Sequence, residues 1–152
     1  SLTRGGAMAV PAPKGFGWVV ASLGASTVVA TLVGSGYVMS ARDRFKVKYP
    51  NLYADKATCK DADAFNAVQR GHQNTLENYP AYAVVQLASG LAYPYTSAAL
   101  GAVWCVSRLL YMHGYSTGVP ENRYWGAAHF PAMLGMLGMT FKLAYDLVQN
   151  DA

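Results

Sequence analysis

The sequence predicts an all-α integral membrane protein, a four-helix bundle with up-down topology, and three observations support this prediction. The 152 residues are 53% hydrophobic and only 13% charged, against roughly 25% charged residues in an average soluble domain. Residues 16–39 contain no charged side chain at all. No segment shows the alternation of apolar and polar residues that indicates a strand. These features indicate that lipid, rather than water, surrounds most of the chain.

The first element follows a segment of small residues. Residues 1–15 contain Gly, Ala and Pro but no long apolar core, so we expect a flexible N-terminal segment without a cleavable signal peptide. Residues 16–39 then form the first span, because a helix of this length covers the roughly 30 Å hydrocarbon layer. Trp18 and Tyr37, near its two ends, suit the membrane interfaces.

The other spans are expected at residues 64–92, 96–115 and 124–148, with a short turn at 93–95 and a C-terminal tail at 149–152. Pro80 lies inside the second span, where membrane bundles tolerate a proline. Residues 16–148 therefore form a single domain with four spans.

The basic residues predict the orientation of this domain. Six of the twelve lie between residues 40 and 63, after the first span, and Arg123 precedes the fourth. The turn at 93–95 and the tail carry none. The positive-inside rule therefore places both termini outside and the loop at 40–63 in the cytoplasm.

A polar stripe begins the second span, in the motif FNAVQRGHQNTLENYP at residues 65–80. At about 100° per residue, five polar side chains share one face: Asn66, Arg70, Gln73, Asn74 and Glu77. An arginine fork suits a carboxylate, a glutamate suits an ammonium group, and the amides suit peptide groups. The stripe matches a small zwitterionic peptide. A salt bridge that only fixes helix packing is the alternative for Arg70 and Glu77.

Tyrosines and arginines outside the stripe are further candidates. Tyr111 and Tyr115, on one face of the third span with Arg108, offer hydroxyl groups and apolar rings, or form an interfacial belt. Arg42 and Arg123 lie at the ends of loops, where an arginine lowers the pKa of a thiol. Contact with lipid headgroups is the alternative for each arginine.

Several kinds of site are not expected. The three histidines are far apart and lack paired carboxylates, so we expect no metal site. The basic loop lacks the interleaved aromatic residues that bind single-stranded nucleic acid, so we expect no nucleic-acid partner. No protein nucleophile with an adjacent base is evident. If the chain is an enzyme, its substrate brings the reactive group.

Three motifs together resemble the MAPEG family of membrane-associated glutathione transferases: SARDRFKVKYP, FNAVQRGHQNTLENYP and RLLYMHGYSTGVPENR. The resemblance covers residues 8–148. It implies a homotrimer that binds glutathione between subunits at the cytosolic side. A lipophilic electrophile or lipid hydroperoxide would enter from the membrane lipid. The endoplasmic reticulum is the expected location, and a mitochondrial membrane stays open.

The resemblance also implies roles for individual residues. Its glutathione-binding positions match Arg42, Arg70, His72, Asn74, Glu77, Tyr111 and Tyr115, and Arg123 matches the catalytic arginine that stabilises the glutathione thiolate. The implied function is that of a glutathione transferase and glutathione-dependent peroxidase, with glutathione as co-substrate and no metal. Asn78 stands where leukotriene C4 synthase has a tyrosine, which weakens the case for that enzyme's substrate.

Two other functions are weighed against this one. A non-catalytic lipid-binding scaffold of the same family lacks the glutathione-binding set that this chain retains. A structural accessory subunit of a larger membrane complex would keep the fold, and the sequence leaves it open.

Overall fold

The computed structural model describes residues 11–151, and the described residues form helices without any β-strand. In chain order the elements are α1 (Phe16–Val28), a π-helical turn (Val29–Val33), α2 (Gly34–Phe45), α3 (Ala62–Ala92), α4 (Pro94–Ser116), a 3₁₀-helical segment (Pro120–Gly126) and α5 (His129–Asp151). The prediction of an all-α protein is confirmed. Most of the segment expected at residues 1–15 lies outside the described residues.

The first helical segment runs without a break from Phe16 to Phe45 through α1, the π-helical turn and α2. Within residues 11–151 it is the one helix that is long and apolar enough, by these two criteria, to cross a membrane. It extends beyond residue 39, where we expected it to end, and stops where Lys46 adopts a left-handed conformation with φ 59°. The other three expected spans stay predictions.

The later helices begin and end at slightly different residues from those expected. Only Tyr93 separates α3 from α4, because Pro94 occupies the first turn of α4, where its missing N–H removes no helical bond. Pro80 lies within α3 without ending it. Beyond the 3₁₀-helical segment, α5 starts at His129 rather than near residue 124, and it includes residues 149–151 of the expected tail.

Helix α4 packs against α1, α3, α5 and the 3₁₀-helical segment. At its centre the indole of Trp104 stacks on the ring of Tyr82 from α3, with centroids 3.8 Å apart and an interplanar angle of 6°. Met136 of α5 completes this buried cluster. A second buried cluster joins Val38 of α2 to Phe65 of α3 and to the loop that follows α2.

The distribution of polarity is typical of a protein surrounded by lipid. Fully buried side chains include Ser26, Thr75, Gln86, Ser89, Ser97 and Arg108. Large apolar side chains such as Leu32 and Phe141 are instead 68% and 67% exposed. Some of the buried groups bond across helices, as Ser26 Oγ does to the Tyr82 hydroxyl at 2.6 Å. Hydrogen bonds of this kind join helices in a membrane, where contact with lipid favours apolar surfaces.

The connection at residues 46–61 is folded back onto the start of α3. The Asn66 side chain accepts a hydrogen bond from the amide of Ala54 at 2.7 Å and donates one to its carbonyl at 3.1 Å. Arg42 Nη2 donates to the Asn51 carbonyl at 2.9 Å. The connection therefore lies against the polar end of α3.

Candidate functional site

The polar stripe of α3 divides into three groups with different partners. Asn66 and Gln73 hold the connection, since the Tyr53 hydroxyl donates to Gln73 Oε1. Asn74 faces α4, where it accepts from Arg108. Arg70 and Glu77 pair with each other. Of the five stripe residues, these last two keep their charges available at the surface.

The Arg70–Glu77 pair is open to solvent on one side. Arg70 Nη1 lies 2.8 Å from Glu77 Oε1 and 2.9 Å from Oε2, and the side chains are 43% and 46% exposed. An exposed ion pair contributes about 0–1 kcal/mol to stability. A ligand that offers an anion to Arg70 and a cation to Glu77 can therefore replace the pair at little cost.

Arg108 of α4 is fully buried. Its Nη2 donates to Asn74 Oδ1 at 2.8 Å, and Nε and Nη2 donate to Thr75 Oγ1 at 3.2 and 2.9 Å. Its guanidinium carbon lies 4.2 Å from the centre of the Tyr111 ring. Arg108 was expected on one face of the third span, whereas Thr75 was not among the candidate residues. The one feature of the local sequence that could have indicated a role for Thr75 is its hydroxyl group, next to Asn74 on a polar helix.

Tyr111 and Tyr115 bring α4 into the same region. Their ring centroids are 5.2 Å apart at 64°, and Tyr111 also contacts the ring of His129 in α5 at 5.8 Å. Both Arg70 and Arg108 lie within electrostatic reach of the Tyr111 hydroxyl. Candidates from α3 and α4 therefore meet on one face of a single chain.

Arg123 reaches this region from the 3₁₀-helical segment. Its Nη1 donates to the Pro120 carbonyl at 3.0 Å and its Nη2 to the Tyr124 hydroxyl at 2.9 Å. Desolvation lowers the pKa of Arg123, but interactions with Tyr124 and Tyr115 outweigh it, so the net pKa lies above the usual value. Arg123 is therefore a cation. A guanidinium has five N–H donors, so donors remain for a ligand.

Two glycines allow this segment to approach α4 closely. A β-carbon at Gly114 would collide with the backbone of Asn122 and Arg123. One at Gly126 would collide with the Ser107 carbonyl and with Tyr111. The absence of side chains at these two positions therefore allows the segment that carries Arg123 to lie this close to α4. Neither glycine was among the candidate residues expected from the sequence.

Arg42 and His72 are directed to other partners within the chain. Arg42 is buried, bonds to the carbonyls of Val47 and Asn51, and stacks over the Tyr49 ring at 4.1 Å. His72 Nε2 lies 3.0 Å from the Ala30 carbonyl in the π-helical turn. Two positions along a helix turn a side chain by about 200°, so His72 points away from Arg70.

A family model described as "MAPEG family" matches residues 16–145, most of the chain. The chain belongs to the MAPEG family. This family is membrane-associated, uses glutathione, and includes glutathione transferases and related enzymes. The matched range contains every MAPEG candidate residue described above, from Arg42 to Arg123.

Proposed function

We propose that this MAPEG protein is a membrane-bound glutathione S-transferase and glutathione-dependent lipid-hydroperoxide peroxidase. Its motifs resemble those of the microsomal glutathione S-transferase 3 branch of the family. The half-exposed Arg70–Glu77 pair is the observation that supports this proposal most strongly. It offers one cation and one anion side by side, next to tyrosines and a second arginine.

Glutathione has the charges that this pair requires. It is a zwitterionic tripeptide with two carboxylates and one ammonium group. Arg70 binds a carboxylate through its planar fork and Glu77 accepts from the ammonium group. Asn74, Tyr111 and Tyr115 supply hydrogen bonds and ring surface beside them.

A homotrimer accounts for the residues that lie apart. Arg42 and His72 contact the connection and the π-helical turn of their own chain, away from Arg70. In a trimer with glutathione between subunits, these two residues of one copy adjoin Arg70 and Arg123 of its neighbour. The split between the two groups supports a site that two copies complete.

Arg123 is proposed to activate the glutathione thiol. A thiol with a pKa near 8.5 needs a shift of about two units to be mostly ionised at pH 7, or about 2.7 kcal/mol. A guanidinium beside the sulfur favours the thiolate. The thiolate then attacks an electrophilic carbon and forms the C–S bond of a thioether. At a saturated carbon the displaced group leaves as an anion. At an activated double bond or an epoxide, the carbanion or alkoxide that forms takes up a proton.

With a hydroperoxide, the thiolate attacks the terminal peroxide oxygen and the O–O bond breaks. The lipid alkoxide takes a proton and leaves as the alcohol, and glutathione becomes a sulfenic acid. A second glutathione displaces water from it and forms the disulfide.

The membrane arrangement belongs to the same proposal. Helices α3, α4 and α5 contain 31, 23 and 23 residues, and 23 residues span about 35 Å, enough for the hydrocarbon layer. With the Phe16–Phe45 segment they form a four-span bundle with up-down topology. The basic connection faces the cytosol, and the bundle lies in the endoplasmic reticulum.

The test is an assay of the purified protein in detergent or nanodiscs, together with its subunit stoichiometry. Glutathione at 100 times Kd should stabilise the folded protein by about 2.7 kcal/mol and so raise its melting temperature. Both conjugation and hydroperoxide reduction should be measurable. A trimer without glutathione binding would favour the lipid scaffold. A single copy that purifies only with other subunits, and shows neither activity, would favour the accessory subunit.

A further inference from the structure

We propose that Arg108 is a positioning residue that fixes the Asn74 amide, so that Asn74 offers a hydrogen-bond donor to the ligand. The inference rests on the proposed glutathione site. In one contact of that site, Asn74 is the hydrogen-bond donor and the ligand is the acceptor. Asn74 therefore recognises a carboxylate or peptide carbonyl oxygen and rejects an N–H group.

The orientation of Arg108 is fixed first. Its Nε and Nη2 both donate to Thr75 Oγ1, at 3.2 and 2.9 Å. The Thr75 hydroxyl gives its own proton to the Gly71 carbonyl at 2.9 Å. Thr75 can therefore only accept from Arg108, and the guanidinium edge is held against α3. The Tyr111 ring covers its face at 4.2 Å.

This orientation decides which end of the Asn74 amide faces Arg108. A guanidinium has donors and no acceptor, so the atom 2.8 Å from Arg108 Nη2 must be Asn74 Oδ1. Asn78 Nδ2 approaches the same oxygen at 3.4 Å. Rotating the amide would bring its NH₂ group against these donors, and a donor facing a buried cation is unfavourable.

The other end of the amide is left for a ligand. Among residues 11–151, Asn74 Nδ2 donates to no group, and the side chain is only partly buried. It lies one residue along α3 from Gln73 and three from Glu77, on the face that carries the Arg70 pair. A free donor on this face complements an oxygen of the bound peptide.

The variant Asn74→Asp tests the inference because it keeps the acceptor and removes the donor. Arg108 gains a counter-ion, so the melting temperature without ligand should stay the same or rise. The Kd and KM for glutathione should rise about 10- to 100-fold, as for a lost hydrogen bond to a charged group, while kcat at saturating glutathione is retained. Gln73→Glu is the matched control, since it adds the same charge next door but still accepts from Tyr53.

Arg108→Lys provides a second variant that keeps the charge. One ammonium group cannot hold Thr75 and Asn74 with the geometry of a fork, so KM should again rise more than kcat falls. If Arg108→Lys fails to fold, Asn74→Asp still tests whether Asn74 donates a hydrogen bond to the ligand. Unchanged glutathione affinity in Asn74→Asp, or an equal loss in Gln73→Glu, would overturn the inference.

Failure of the proposed function would look different. If the unmodified protein does not bind glutathione, the site assignment is wrong for every variant, and the donor role falls with it. The pairing itself is judged without ligand: a lower melting temperature for Asn74→Asp than for Gln73→Glu would show that Asn74 does not face Arg108.

Discussion

Arg70 and Glu77 form an ion pair along α3, with 2.8 Å between Nη1 and Oε1, and nearly half of each side chain is exposed. Lys142 and Asp146 form a second exposed pair in α5, with 2.5 Å between their nitrogen and oxygen atoms. The two pairs are chemically alike, but only the first lies within electrostatic reach of Tyr111. The Lys142–Asp146 pair can therefore serve as a control: it is an exposed ion pair without a proposed role in binding.

We expect Arg70→Ala and Glu77→Gln to weaken glutathione binding with little effect on stability. An exposed pair contributes about 0–1 kcal/mol to folding, whereas a lost hydrogen bond to a charged group costs about 1.5–3 kcal/mol, or roughly 10- to 100-fold in KM. Steady-state kinetics and thermal melting measure the two effects separately. Lys142→Ala is the control and should leave KM unchanged. Equal KM values in all three variants would remove the Arg70 pair from the site.

Gly114→Ala should displace Arg123 and lower activity, although residue 114 itself does not touch the ligand. The new β-carbon meets the backbone of Asn122 and Arg123, and overpacking of this kind typically costs about 1–3 kcal/mol. Gly138→Ala in α5 is the control, because no atom lies near its added β-carbon. Comparison of kcat/KM and melting temperature for the two variants is the measurement. Full activity in Gly114→Ala would mean that the position of Arg123 is not set by this contact.

His72→Leu should lower both stability and glutathione affinity. The Ala30 carbonyl loses its hydrogen bond from His72, which costs about 1 kcal/mol. In the proposed trimer, His72 also contacts glutathione bound beside the neighbouring copy, so KM should rise as well. Thermal melting and kinetics on the same preparation measure both effects. A lower melting temperature with an unchanged KM would leave His72 with a structural role alone.

The helices and the polar stripe were predictable because their signals are local. Charge-free runs, helical periodicity and the position of Pro80 can each be found in a short window of sequence. The partner of each residue in the polar stripe was not predictable. Asn66 and Gln73 hold the connection only because that loop folds back to bring Ala54 and Tyr53 against α3.

Other features of the site depend on residues far apart in sequence. The π-helical turn has no local signature, and its Ala30 carbonyl is bonded by a histidine 42 residues away. The 3₁₀-helical segment that carries Arg123 lies close to α4 because glycines occur at positions 114 and 126. Such contacts require the tertiary fold. The sequence therefore identified candidate groups without showing which of them face one another.

The pH dependence of glutathione ionisation on the protein tests the central claim most directly. Ultraviolet difference absorbance measures the thiolate as pH rises, in the unmodified protein and in Arg123→Ala. A thiol near pKa 8.5 that is stabilised as the thiolate should titrate about two units lower. Arg123→Ala should return the midpoint towards 8.5, and the pH profile of conjugation should move with it. Thiolate formation at the same pH in both proteins would contradict the assignment of Arg123.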